Sequence, residues 1–125
     1  MMKVDCIVNH GCSLGESPVW SQAAGAVYWL NVAVPSTLFE WSARTGAPRS
    51  CPLDELASAL TLSQDAAPIV ISQAGVRAFD PARGALRTIA APPFSMQHIR
   101  FNDCGCDPAG RLWTGTMVNN FEKID

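Results

Sequence analysis

Three stretches of the sequence carry polar side chains that a strand pattern does not require. The first is Leu14-Gly-Glu-Ser-Pro-Val-Trp20, where Glu16 stands between Gly15 and Pro18 just before an apolar run. A carboxylate at the inner start of a strand could ligate a hard divalent cation, because such ions take oxygen donors. It could equally cap a turn or pair with an arginine. The second stretch is Arg100-Phe-Asn-Asp103, followed by Cys104-Gly-Cys-Asp107-Pro-Ala-Gly110-Arg111. A guanidinium fork and an amide hold carboxylate, hydroxyl or carbonyl oxygens more selectively than a lysine does, so Arg100 and Asn102 point to an oxygen-rich ligand. Asp107 is expected to organise a turn by accepting backbone N–H bonds. The third stretch, Thr114-Gly-Thr-Met-Val-Asn-Asn120, would bring Thr116, Met117 or Asn120 to the same mouth where its strand ends.

Other chemistries lack their residues. The chain has no GxSxG elbow, P-loop, HExxH, strand-following GxGxxG or EF-hand loop, which leaves hydrolysis by a nucleophilic triad unsupported. His10 and His98 have no metal-spaced partner. Five cysteines are an odd number, and Cys104 and Cys106 form no CxxC pair, so all read as reduced thiols of a reducing compartment. Nine Lys+Arg against eleven Asp+Glu give a net charge of -2, which argues against a nucleic-acid partner. No run approaches the roughly 18 apolar residues of a membrane span, and the start MMKVDCIV is too short for a signal-peptide core. The expectation is a cytoplasmic protein with no membrane partner.

The elements that must position these residues are strands. No long window carries apolar residues at a 3.6 period, and only Leu53 to Leu62 offers one or two helical turns, with Asp54 and Glu55 near its start. Short apolar or alternating runs recur instead: Ser17 to Trp20, Ala26 to Val32, Thr37 to Trp41, Ala59 to Leu62, Pro68 to Ser72, Gly75 to Phe79, Gly84 to Ile89 and Arg111 to Thr116. Ala43-Arg-Thr-Gly46 and Pro81-Ala-Arg-Gly84 are turns of one kind inside longer units that match each other. Trp20 aligns with Leu62 and Leu62 with Cys106, offsets of 42 and 44 residues. That is the period of a β-propeller blade, and in-register repetition disfavours a β-sandwich of the same length. The expected fold is all-β: a partial ring of about two and a half four-stranded antiparallel blades. The tryptophans at 20, 29, 41 and 113 fall on strands, where blade-core packing is the simpler role.

In order and spacing, Leu14-Gly-Glu-Ser-Pro-Val-Trp20, Val27-Tyr-Trp-Leu-Asn31, Val76-Arg-Ala-Phe-Asp80, and Arg100-Phe-Asn-Asp103 through Asp107-Pro-Ala-Gly-Arg111 to Gly115-Thr-Met117 resemble the SMP-30/gluconolactonase/regucalcin family. The resemblance covers nearly the whole chain. It implies a six-bladed propeller of about twice this length, of which residues 1–125 are the N-terminal part, with a divalent cation in the central funnel and hydrolysis of a sugar lactone such as gluconolactone. Glu16 then matches the metal-ligating glutamate, and Arg100 and Asn102 the substrate-contacting arginine and asparagine. Asn120 stands where animal members carry a substrate-contacting glutamate, Asn31 where an aspartate is common, and Cys104 where a glycine is usual. The remaining metal ligands and the candidate catalytic aspartate fall in the second half of the family's sequence, so no catalytic residue is assigned here. The cation would be calcium, zinc, magnesium or manganese, weakly held by one carboxylate. The competing reading is a non-catalytic calcium-binding regulatory or structural module, and open blade edges allow self-association.

Overall fold

A computed structural model describes residues 1–119. Ten strands follow one another: β1 (Gly15–Ser21), β2 (Ala26–Asn31), β3 (Thr37–Ser42), β4 (Pro48–Pro52), β5 (Ala57–Leu62), β6 (Pro68–Ser72), β7 (Gly75–Asp80), β8 (Ala85–Ala90), β9 (Ile99–Cys106) and β10 (Leu112–Val118). Among the described residues there is no helix, so none is long and apolar enough to cross a membrane. The turn expected within Leu53 to Leu62 is an irregular link running into β5. Its acidic start serves another purpose, because Glu55 forms a 2.6 Å ion pair with Arg77.

The strands make two four-stranded antiparallel meanders, β1-β2-β3-β4 and β5-β6-β7-β8, and a β9-β10 hairpin. The middle sheet is packed on both faces. Leu60 and Val70 join Tyr28, Leu30 and Leu38 of the first sheet in one core, whereas Ala59 and Ile71 join Phe101 of β9 in another. A strand buried on both faces shows a continuous apolar run instead of an alternating one, which is what Pro68-Ile-Val-Ile presents.

The repeat is visible in backbone detail. In both meanders the third and fourth strands are joined by a turn whose glycine N–H bonds the carbonyl four residues back, Gly46 to Ser42 and Gly84 to Asp80, each at 2.8 Å. The link from first to second strand also recurs 44 residues apart. Ser63-Gln64-Asp65-Ala66-Ala67 and Asp107-Pro108-Ala109-Gly110-Arg111 share their backbone bonds, and the side chains of Ser63 and Asp107 accept from the N–H groups of Ala67 and Arg111 at 3.1 and 2.9 Å. Gly110 takes φ +77° there, but its counterpart Ala66 is held at φ +59°, where a Cβ is crowded. Ala66→Gly should therefore raise stability by about 0.5–1 kcal/mol, the relief of crowding exceeding the added chain entropy. Urea unfolding would show it as a higher midpoint. An unchanged or lower midpoint would mean that the turn stores no strain.

Candidate functional site

The first strands of the three sheets, β1, β5 and β9, lie side by side, with β5 packed between the other two. Each departs from regular pairing at a comparable level. The register slips between Glu16 and Val19 on β1, between Ala57 and Ala59 on β5, and where Phe101 and Cys104 of β9 face Thr116 and Thr114 of β10. In each case the first strand holds one more residue than its partner, a β-bulge, which bends the strand and re-aims side chains. On β1 the bulge places Ser17 at φ +52°, an uncommon conformation for a residue other than glycine and one found where structure holds a functional side chain in place. The same bulge on β9 lets Phe101 and Cys104, three apart, both pack toward the middle sheet. Asn102 and Asp103 between them are left exposed.

These departures surround one cavity of about 200 Å³, walled by Leu14 and Val32 and lined by Glu16, Ser58, Arg100, Asn102 and Asp103. Glu16 and Arg100 are 84 residues apart in sequence and close enough in space to interact. Burial pushes the Arg100 guanidinium below its ordinary range, and the Glu16 carboxylate opposes that shift by favouring the charged form. Asn31 fixes the approach to β1: its Oδ1 accepts from Ser13 Oγ and from Leu14 N, each at 3.0 Å, and Val32 N donates to Leu14 O at 2.8 Å. An amide in place of a carboxylate performs this bridging.

The cavity thus gathers Glu16, Arg100 and Asn102, the described residues to which the family resemblance gives metal or substrate roles. Asn120 lies outside the described residues. Thr116 and Met117 are exposed on β10 and do not line the cavity. Asp107 organises its turn as expected, and does so fully: it accepts from Ala109 N, Arg111 N, Arg111 Nε at 2.7 Å and Trp113 Nε1 at 3.0 Å. Those donors, the indole first, lower its carboxyl to about 2. The tryptophan expectation is corrected in part. Trp29 is half-buried and stacks on Phe39, but Trp20 and Trp113 are 45% and 62% exposed. Burial, with Asp103 and Cys106 nearby, pushes the Cys104 thiol up to about 11, and all five cysteines are free. Ser58 was missed by sequence reasoning, and a serine between two alanines carries no signal that would find it.

Glu16 suits a hard cation as one ligand, but the described residues do not complete a shell. Asp103, the other carboxylate of the cavity, spends Oδ1 on the N–H of Cys104 at 2.7 Å. Among the described residues no group of three or more His, Cys, Asp or Glu side chains is placed to hold a metal ion. Calcium asks for roughly six to eight oxygens.

Residues 14–125 match the profile of the SMP-30/Gluconolactonase/LRE-like region. Over 113 residues the chain is 34% identical to a 6-deoxy-6-sulfogluconolactonase of Pseudomonas putida, covering 90% of this chain and 38% of that protein. It is 29% identical over 118 residues to the regucalcin of Oryctolagus cuniculus, covering 94% of this chain and 39% of the relative. The crystal structure of a calcium-binding regucalcin from Agrobacterium tumefaciens superposes with a TM-score of 0.80 at 29% identity, over 90% of this chain and 38% of that one. The chain therefore spans about two-fifths of the length of the relatives it matches.

Proposed function

Because the chain belongs to the SMP-30/Gluconolactonase/LRE-like family, we propose that it is the N-terminal part of a six-bladed propeller whose site hydrolyses a sugar lactone. In this reading the two meanders are complete blades and β9-β10 begins a third. The observation that carries it is the meeting of Glu16, Arg100 and Asn102 at one cavity from strands of two different sheets. Lactonases among the relatives support the substrate class.

The residues divide the work by chemistry. Arg100 offers a fixed, charged donor fork to lactone oxygens, strengthened because its burial removes competing water. Asn102 offers both a donor and an acceptor, which suits a sugar hydroxyl. Glu16 holds the charge of Arg100 in place and is the ligand through which a divalent cation would attach. What such a cation supplies when bound is polarisation of the lactone carbonyl toward attack by water. With one carboxylate and no completed shell among the described residues, the chain holds calcium, zinc, magnesium or manganese weakly and turns over slowly. The cytoplasm is the compartment that fits its free thiols. The open edge of β10 is where self-association would occur.

The calcium-binding regucalcin neighbour favours a second reading, a calcium-binding module without catalysis. Two measurements separate them. Binding of D-glucono-1,5-lactam, a lactam that does not hydrolyse, is followed by NMR titration, and D-glucono-1,5-lactone hydrolysis by pH-stat with each cation in turn. Arg100→Lys, which keeps the charge and loses the fork, should weaken lactam binding about tenfold at unchanged thermal stability. Calcium binding without lactam binding or turnover would replace the lactonase reading by the second one.

A further inference from the structure

We infer that Ser58 is a further substrate-contacting residue of this site, its hydroxyl bonding one ring hydroxyl of a polyhydroxylated lactone. The inference rests on the lactone reading above and adds to it a third side of the site, supplied by β5.

Four serines of the chain are buried: Ser21, Ser36, Ser58 and Ser72. Three have hydrogen bonds that account for their hydroxyls. Ser21 Oγ donates to Ala66 O at 3.3 Å, Ser36 Oγ to Ala33 O at 2.9 Å, and Ser72 Oγ to Glu55 Oε2 at 2.7 Å. Ser58 is only 5% exposed, yet among the described residues its hydroxyl bonds to no protein group, and it lines the cavity that holds Glu16, Arg100 and Asn102. The residue is buried but its hydroxyl is not one of the fully enclosed unpartnered atoms, so the access it keeps is to the cavity, where a ligand hydroxyl can reach it.

The backbone explains why this serine stands apart. In a regular strand residues two apart share a face. Ala57 and Ala59 do not: Ala57 packs in the core between the first and middle sheets, and Ala59 in the core between the middle sheet and β9. The bulge reverses the face between them, and Ser58 is the extra residue, paired with no residue of β6 and placed at the wall of the cavity. An extra residue that borders a charged cavity is placed to meet a ligand. A hydroxyl can both donate and accept, so its natural counterpart is another hydroxyl, which a polyhydroxylated lactone offers around its ring.

The test uses D-glucono-1,5-lactam and its 2-, 3- and 4-deoxy analogues with the chain and with Ser58→Ala. Ser58→Ala should weaken the parent lactam about fivefold, the range of one neutral hydrogen bond. One deoxy analogue should be insensitive to the substitution, because it already lacks the partner hydroxyl, and Ser58→Thr should restore most of the affinity. An equal loss for every analogue would assign Ser58 to packing and overturn the inference, as would no loss at all. Failure of the unaltered chain to bind any of the lactams would overturn the lactone reading itself and this inference with it.

Discussion

Replacing Gly75 by alanine is expected to destabilise the chain by about 3 kcal/mol, a large share of the net stability of a domain, which is about 5–15 kcal/mol. Gly75 follows the two-residue turn Gln73-Ala74 that joins β6 to β7, at φ +112°. Any L side chain there is strained by about 1–3 kcal/mol. A second penalty adds to the first, because a Cβ at this position would collide with the carbonyl of Ala90 and crowd Ala91 Cα and Pro92 Cδ at 3.1 Å each. The obstacle is backbone of β8 and its exit, so no side chain can swing aside. Gly46→Ala is the control: at φ +67° it carries the conformational penalty, but nothing lies within 4 Å of its Cβ. The unfolding free energy from urea titration should fall by about 1 kcal/mol for Gly46→Ala and by about three times that for Gly75→Ala. Equal losses would show that the Ala90 carbonyl gives way and that the turn alone sets the cost.

Arg77→Met is expected to cost about 2–4 kcal/mol. Arg77 and Glu55 are 17% and 18% exposed at their side chains and meet at 2.6 Å, and Glu55 also accepts from Ser72 Oγ at 2.7 Å and Ala74 N at 3.2 Å. Glu55 lies in the link between the first and middle sheets, and the Glu55 carbonyl accepts from Ser36 N at 3.1 Å. The pair therefore ties the first sheet, the link and the β6-β7 hairpin together. Without Arg77 the carboxylate keeps its desolvation and loses its counter-charge, which is why breaking such a pair hurts more than removing it whole. Adding Glu55→Gln to Arg77→Met should recover part of the loss in a double-mutant cycle. If the two losses simply add, Glu55 is solvated well enough without its partner, and the proposed uncompensated charge does not arise.

Much of this fold was legible in the residues. Pro68 to Ser72 is a strand over the range read from its apolar run, and Ala26 to Val32 and Thr37 to Trp41 differ from β2 and β3 by one residue. Two strands were not legible. β4 begins and ends with proline and is an edge strand, where proline is tolerated because the missing N–H need not pair. β9 carries Arg, Asn and Asp, side chains chosen for a cavity and poor in strand propensity. Of the two acidic residues that suggested a helix start, Glu55 belongs to an ion pair with a residue 22 positions on, which no local pattern reveals. Glu16, Arg100 and Asn102, singled out by type, line one cavity. Ser58 lines it too but was not legible, because its place there depends on one extra residue in β5, and an insertion in the pairing is invisible until the partner strand is known.

That extra residue separates two kinds of selection on the same strand. Ala57, Ala59 and Phe101 are committed to cores on either side of the middle sheet, so a change at any of them must be absorbed by repacking. Asn102 and Asp103 are exposed and line the cavity. A new side chain at these positions grows into or away from the cavity while the sheets keep their registry. The lining of the cavity can therefore change one residue at a time on a scaffold that does not have to change with it.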